Sequence, residues 1–415
     1  MKIVILSEYN RFTSIGGTEY YVDMLIEGLV DRGEKIVFIG KGKQKESIRH
    51  FTEKNKSGNT YQVYLLPDMQ FTKEEIKQKV VSRSWQLILP ILQESNPDVI
   101  HVHTSTTFFN IRHFELLAKY FKNILFTTHI PGHFCAKGDL IQNNSKPCNG
   151  VIGLKCYRCM FSISVSSGIS NLVFQYSSYK LKTMQLMNKL GICIVCPSYW
   201  QKEHLIRNGY DAERLHVIKQ AIKTADYTTI PPKKRGSIFS IGYLGRLSPE
   251  KGSRLLIELL KKYKNRNDMR FVLGIPANSD PGALESLKGI MEHSQLEIVL
   301  LNHINNSNKN IFFQEIDCLL IPSYCIETGP IVLQEAVWYG KRVIAPDVGG
   351  PAEYAKEFKA IHQYKWNNFY SIIEIIERLI NKEDSKYNLD ANELLFNYEN
   401  SLITNHLDIY TTMHN

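Results

Sequence analysis

The segment 325–353, CIETGPIVLQEAVWYGKRVIAPDVGGPAE, sets two carboxylates, Glu327 and Glu335, eight positions apart with Gly329-Pro330 between them. An apolar stretch opens at Ile331 and Val332, Gly340 interrupts it, and the strand-like run Arg342–Ala345 follows. Proline suits the start of a helix and glycine the site just past its end. The spacing therefore predicts a helix from about Ile331 that stops at Gly340. The first N–H groups of a helix have no partner within it, and such an end binds anions, phosphate in particular. Glu335 then lies about one turn inside, with its Cβ tilted back toward the helix start. There its carboxylate can accept hydrogen bonds from hydroxyls next to a phosphate. Glu327 falls before the helix, at the mouth. A nucleotide-diphosphate sugar combines the parts such a site would read.

Other residues carry chemistry of the same kind. In GYLGRLSPEKG, residues 242–252, a buried strand ends at Leu244, a turn holds Arg246, Pro249 and Lys251, and a helix starts near Ser253. Arginine can clamp two anionic oxygens and lysine adds a mobile point charge. Ser14-Ile15-Gly16-Gly17-Thr18-Glu19 joins a strand to a helix, and paired glycines let backbone approach a ligand closely. Thr127-Thr128-His129 closes another strand; His101 and His103 alternate on one strand face, either as structure or, for His103, as lining of a site. Cys135, Cys148, Cys156 and Cys159 are spaced C-x12-C-x7-C-x2-C in a loop rich in Gly, Asn and Lys. Four thiolates can hold a tetrahedral structural zinc; free or redox-active thiols, or another metal centre, are the alternatives. Cys193 and Cys196 sit in an apolar strand, where positions three apart face opposite ways, and read as core.

These residues need a framework that brings strand ends together. The chain alternates strand-like and helix-like runs. Strands are expected at Lys2–Leu6, Lys35–Ile39, Asp98–Val102, Lys122–Thr127, Ile192–Cys196 and Leu215–Ile218. Helices are expected at Thr18–Arg32, ended by Gly33, within 82–96 and within 198–209. A second series runs Ile238–Leu244, helix Arg254–Tyr263, Arg270–Gly274, helix Pro281–His293, Cys318–Pro322, the helix after Pro330 and Arg342–Ala345. Helices at Asn367–Asn381 and Asn392–Met413 close the chain. Such βαβ series predict α/β architecture with parallel sheets. Two Rossmann-like domains with a cleft between them follow, with ligands at the carboxyl ends of the strands. The expected boundaries are 1–223, with the Cys-rich loop 132–160, a polar linker 224–236 containing Pro231-Pro232 and Lys233-Lys234-Arg235, a second domain 237–391, and a final helix 392–415 packing back toward the first domain.

Glu327 and Glu335 match the E-x7-E pattern of family 4 glycosyltransferases, and the flanks match too: Pro322-Ser323 before it, Glu335-Ala336 at its end, then Gly340 and the run VIA. The chain resembles that family over nearly its whole length. The resemblance implies the GT-B fold and a retaining transfer from a nucleotide-diphosphate sugar, UDP- or GDP-linked, to a glycan, lipid-linked or small-molecule acceptor. It assigns Arg246 and Lys251 to the donor diphosphate and Gly16-Gly17 to a loop facing donor phosphates and acceptor. His129 is assigned to the donor sugar. Thr328, Gly329, Pro330, Ile331, Val332 and Glu335 are assigned to the donor, with Glu335 on the ribose and Glu327 on the sugar. Thr328-Gly329-Pro330 departs from the GFG or GFP of many relatives, and Ile130 stands where an Asp often follows the histidine. The stretch Ser162–Lys189 resembles the variable acceptor side of the family. A similar four-cysteine insertion occurs in some bacterial relatives.

Composition narrows the field. The chain has 415 residues, 43% hydrophobic and 22% charged, the balance of a globular protein long enough for two cores. Its net charge is +9, read as a solvated basic surface or as attraction to anionic lipid or substrate, with peripheral membrane contact as one consequence. No nucleic-acid module or aromatic-basic repeat occurs, so nucleic acid is not expected as a partner. The start, MKIVILSEYNRF, makes a poor signal peptide, and no stretch reaches the ~18 apolar residues of a membrane span. The expected place is the cytoplasm, with the inner membrane face as an extension. No Asp-x-Asp occurs, so no catalytic metal is expected. Other enzymes of the same fold, an epimerase or a phosphorylase, and a catalytically silent sugar-nucleotide-binding subunit are the rival readings. A dehydrogenase is disfavoured because no G-x-G-x-x-G follows the first strand.

Overall fold

The opening run Lys2–Ser7 (β1) is apolar on both faces, and five of its six residues are buried. Such a run suits a parallel strand covered by helices on both sides. The computed structural model describes residues 1–13, 16–76, 79–133, 135, 137–148, 152, 156, 159, 182–224, 238–276, 279–301, 304, 308–381 and 391–415. The chain divides into two units, Met1–Gln220 with Asn400–Asn415, and Ala221–Glu399. Most of the expected linker 224–236 and much of Ser162–Lys189 lie outside the described residues, as do Ser14 and Ile15.

The first unit holds an eight-stranded sheet. Its strands are β1, β2 (Lys35–Lys41), β3 (Arg49–Lys54), β4 (Thr60–Leu66), β5 (Val99–His103) and β6 (Ile124–Thr127). A small ribbon of β7 (Ile141–Gln142) and β8 (Lys146–Pro147) intervenes before β9 (Cys193–Cys196) and β10 (Leu215–Val217). The order across the sheet is β10-β9-β6-β5-β1-β2-β4-β3, parallel throughout except for β3 against β4. Winding reverses beside β1, which puts the loops after β1 and β5 at a topological switch point. On one face Ile88, Leu92, Phe114, Leu117 and Leu205 pack with Val4, Leu6 and Val102. Helix Gly17–Asp31 buries Leu25, Ile26 and Leu29, and Ile403 of the final helix lies against its Gly28.

The second unit has six parallel strands: β11 (Phe239–Leu244), β12 (Met269–Gly274), β13 (Glu297–Leu301), β14 (Cys318–Leu320), β15 (Arg342–Pro346) and β16 (Ile361–Tyr364). Their order, β13-β12-β11-β14-β15-β16, is the doubly wound 3-2-1-4-5-6 arrangement with its switch point between β11 and β14. Helix Ser253–Tyr263 turns Leu256, Ile257, Leu260 and Tyr263 to one face of the sheet, a spacing that follows the helical period. Phe312, Phe313, Leu333 and Val337 cover the other face.

The strands and helices expected from sequence lie within three residues of these bounds. Helix Ile331–Trp338 begins where expected, with Pro330 as its N-cap rather than its first residue. Sequence reading passed over β3, β4, β13, β16 and the helices Ile111–Tyr120, Lys309–Glu315 and Gly349–Tyr354. β3, RHFTEK, is exposed along most of its length and pairs on one side only, so charge hides its strand character. Among the described residues no helix is long and apolar enough to cross a membrane.

Candidate functional site

In the second unit the loops after β11 and β14 lie against each other. The backbone N–H groups of Tyr324 and Cys325 donate to the Glu250 carbonyl at 3.0 and 3.1 Å. Gly252 holds φ +78°, and a Cβ there would stand 1.9 Å from the Pro322 carbonyl oxygen. Only glycine allows both the left-handed backbone and that approach. The next loop, after β15, is fitted as closely: Gly349 has φ +67° with Glu327 O 2.5 Å from a would-be Cβ, and Gly350 N donates to Glu327 O at 2.8 Å.

This interlock places the charged groups. Lys251 Nζ donates to Glu327 Oε1 at 2.6 Å, and Ser323 Oγ donates to the same oxygen at 2.7 Å. Burial pushes the Glu327 carboxyl up, but Lys251 and Ser323 outweigh it and hold it below the usual range. Burial likewise depresses Lys251, and Glu327 outweighs that, so its ammonium is held charged. Arg246 is exposed, and its field reaches Lys251 and Tyr243. Tyr243 Oη fixes the turn by donating to Arg246 O at 2.6 Å.

Helix Ile331–Trp338 starts at the same end of the sheet. Its N-cap, Pro330, makes no side-chain hydrogen bond, while Thr328, Gly329 and Pro330 are buried ahead of it and Ile331 and Val332 are half-buried. Glu335 is 1% exposed, and its Oε1 accepts from Lys309 Nζ at 2.6 Å. The structure thus brings Arg246, Lys251, Glu327, Thr328 to Val332 and Glu335 to one end of one sheet. Lys309 was missed in the sequence. It follows a polar run and opens a seven-residue helix, and nothing in its local spacing points 26 positions ahead to Glu335.

In the first unit, His129 follows β6 and is 5% exposed. Its Nε2 shares a hydrogen bond with His103 Nδ1 at 2.9 Å, and the Tyr21 ring meets it edge-on at 4.9 Å between centroids. Tyr21 sits about one turn inside the helix headed by Gly16, whose start, Gly16-Gly17, is exposed. Behind them His101 bridges Thr127 Oγ1 and Tyr410 Oη, both at 2.7 Å. His406 Nδ1 faces the Leu402 carbonyl at 2.7 Å and so carries the proton, which leaves Nε2 to accept from Tyr21 Oη at 3.2 Å. Burial pushes His129 down to about 3 and His406 to about 4, and drives His101 and His103 well below the ordinary range. The cluster is uncharged at neutral pH, so His129 can exchange a hydrogen bond with a ligand hydroxyl but brings no positive charge.

Three of the four loop cysteines meet residues 137–143, the segment leading into and out of β7. Burial pushes the Cys135 thiol up, although the backbone N–H groups of Leu140, Gly138 and Lys137 act the other way. Cys148 N donates to Leu140 O at 2.7 Å, and Cys159 Sγ lies 3.3 Å from both Asn143 N and Ile141 O. Cys156 is half-buried. Among the described residues no group of three or more His, Cys, Asp or Glu side chains is placed to hold a metal ion. Cys196 is buried in β9, and Cys193, the strand's first residue, is half-buried.

Two family models match the chain: "Glycosyltransferase Family 4" over residues 15–226 and "Glycosyl transferases group 1" over residues 231–393. The chain is 21% identical over 372 residues, 86% of its length and 88% of the relative's, to an uncharacterized 42.6 kDa protein in the cps region of Klebsiella pneumoniae. It is 28% identical over 162 residues, 37% of its length and 42% of the relative's, to a lipopolysaccharide 1,2-N-acetylglucosaminetransferase of Salmonella typhimurium. Among solved structures it is similar to Anabaena HepE in complex with UDP and glucose, with a TM-score of 0.65, 15% identity and coverage of 99% of this chain and 100% of that one.

Proposed function

The chain belongs to glycosyltransferase family 4, and from that premise we propose that it moves a hexosyl group from a UDP-linked sugar to a glycan or lipid-linked acceptor, with retention at the anomeric carbon. The observation that carries this reading is the meeting, at one switch point, of Lys251, Arg246, an uncapped helix start and two lysine-paired carboxylates. Lys251, Arg246 and the N–H groups after Pro330 stabilise the departing diphosphate, a role that fixed charges and helix ends fill in a preorganised site. Glu335 reads the ribose hydroxyls. Glu327 orients the sugar from the phosphate side.

Glu327 is engaged by Lys251 and Ser323 on one oxygen, which suits a binding acid better than a nucleophile. Retention then follows from front-face attack. The acceptor hydroxyl oxygen bonds to the anomeric carbon on the side the diphosphate leaves, and a phosphate oxygen takes the hydroxyl proton. The choice of UDP draws on HepE, solved with UDP and glucose. The choice of a surface-glycan acceptor draws on the Salmonella and Klebsiella relatives. The net charge of +9 supports contact with an anionic lipid surface, where a lipid-linked acceptor is presented. A thermal-shift panel of UDP, GDP and ADP sugars, followed by NMR of the product linkage, tests the reading. A ligand at 100 times its Kd adds about 2.7 kcal/mol of stability. No shift with any donor overturns donor binding, and an inverted linkage overturns retention alone.

For Cys135, Cys148, Cys156 and Cys159 we propose a structural zinc, a reading that rests on their C-x12-C-x7-C-x2-C spacing and on the capacity of four thiolates to hold the ion. Metal analysis of protein prepared without chelator should return stoichiometric zinc; its absence under reducing conditions ends the idea.

A further inference from the structure

β3 (Arg49–Lys54) closes one edge of the first unit's sheet and, among the described residues, pairs with β4 alone. In an antiparallel pair the backbone bonds fall on every second residue. Asn55, just after β3, donates its N–H to Asn59 O at 2.9 Å, in step with the register that sets Lys54 opposite Thr60. Arg49, Phe51 and Glu53 are therefore the residues bonded to β4, and the N–H and C=O groups of His50, Thr52 and Lys54 point out from the edge. These three residues are exposed, and the strand holds no proline that would block a further ladder. An open edge of this kind is a template for another strand, and charges commonly guard it. Guards of one sign repel a second copy, but β3 carries both signs. Arg49, Phe51 and Glu53 share one face, since side chains alternate along a strand. The Arg49 guanidinium lies 4.9 Å from the Phe51 ring centre, Glu53 Oε1 meets Arg11 at 2.7 Å, and the Phe12 ring meets Phe51 edge-on at 5.5 Å.

We propose that two copies of this chain pair through their β3 edges, antiparallel about a two-fold axis, so that two sheets become one. In such a pair a residue that points out faces another that points out, which leaves few registers open. With Phe51 on the axis, Arg49 faces Glu53 of the second copy at both ends, His50 faces Thr52, and Lys54 falls opposite Ile48. His50 and Thr52 then exchange the backbone bonds. Arg49 and Glu53 lie at the closer, non-bonded positions, where opposite charges attract across strands, and the two Phe51 rings meet between them. With Thr52 on the axis, Phe51 faces Glu53 and His50 faces Lys54; with Glu53 there, two carboxylates meet; with His50 there, Arg49 faces Phe51. Of these registers the first alone sets opposite charges against each other, and symmetry does so twice. The pairing does not depend on the glycosyl-transfer reading.

Sedimentation velocity of the full-length chain over a wide concentration range tests this. The wild type should show a monomer–dimer equilibrium, weak as befits a contact at the small end of specific interfaces. Arg49→Glu and Glu53→Arg should each raise the dimer Kd by about tenfold or more, because symmetry turns both cross-strand pairs repulsive at once. Mixed in equal amounts, the two variants should form a heterodimer, since each pair then joins opposite charges again. Thr52→Pro removes an outward N–H without removing a backbone bond to β4, a position where edge strands accept proline. It should abolish the dimer, and it decides the question should a charge variant not fold. A wild type that stays monomeric at every concentration overturns the proposal. So does a dimer that survives Thr52→Pro, and so do folded charge variants that stay apart on mixing.

Discussion

Lys251 and Glu327 hold each other charged at 2.6 Å, so neither side chain is an independent surface charge. Removing the lysine leaves the acid without its cation and, on the proposed reading, takes away a counter-charge of the diphosphate. Lys251→Ala and Arg246→Ala should each lower kcat/KM by about 10²- to 10³-fold, the scale of losing one preorganised stabiliser of developing charge. Arg246 is exposed and does not pair with Glu327, so its variant should melt like wild type. Wild-type kinetics in either variant would remove that residue from the donor site. The motif GRLSPEK and the E-x7-E spacing made Arg246, Lys251, Glu327 and Glu335 legible in the sequence, because each lies beside a strand end or helix start that local pattern marks. Lys309 was not legible, since its meaning comes from a partner on another element.

Three loops, not one, build the mouth of the second unit's sheet, and they lock through backbone. Gly252 faces the Pro322 carbonyl, and Gly349 and Gly350 face the carbonyls of Glu327 and Thr328. Gly252→Ala forces a methyl group into a carbonyl 1.9 Å away at a backbone φ of +78°. The left-handed conformation alone costs about 1 kcal/mol, and displacing the β14 loop adds to it. We expect a lower denaturant midpoint and lost donor binding, since the loop that moves carries Ser323 and Glu327. Unchanged stability and affinity in this variant would mean the loops do not lock as described. Sequence reading identified the turn that ends at Gly252 but not the backbone it meets, and it assigned no turn to Gly349 and Gly350. Glycine marks permissiveness locally, and the reason for it lies in the neighbouring strand.

Across the molecule, acid sensitivity should trace to the first unit, where the imidazoles of His101, His103, His113, His129 and His406 are buried. Burial lowers all five, with His113 and His406 near 4 and His129 near 3. Their folded values lie below the unfolded value of about 6.5. As pH falls through that value the unfolded chain takes up protons that the folded chain refuses, so stability is present above about pH 6.5 and is lost below it. From about pH 6.5 to about 5.5 the loss is about 1 kcal/mol for each such histidine. Thermal melts of the full chain at those two pH values should show a clear drop, and equal melting temperatures would mean the cluster is hydrated or already charged.

The sequence by itself determined the local grammar: near-continuous apolar runs for parallel strands, helical spacing for the covering faces, and the residue types that can bind a diphosphate and hydroxyls. These are read over short windows, where strand and helix periods act. Tertiary structure decided which of those residues face one another. The Lys309–Glu335 pair spans 26 positions, Lys251–Glu327 spans 76, and His101–Tyr410 spans 309. Each joins groups on different elements, and only the order of strands in the two sheets sets their distance. Periodicity carries no information about that order, whereas burial and charge pairing depend on it entirely.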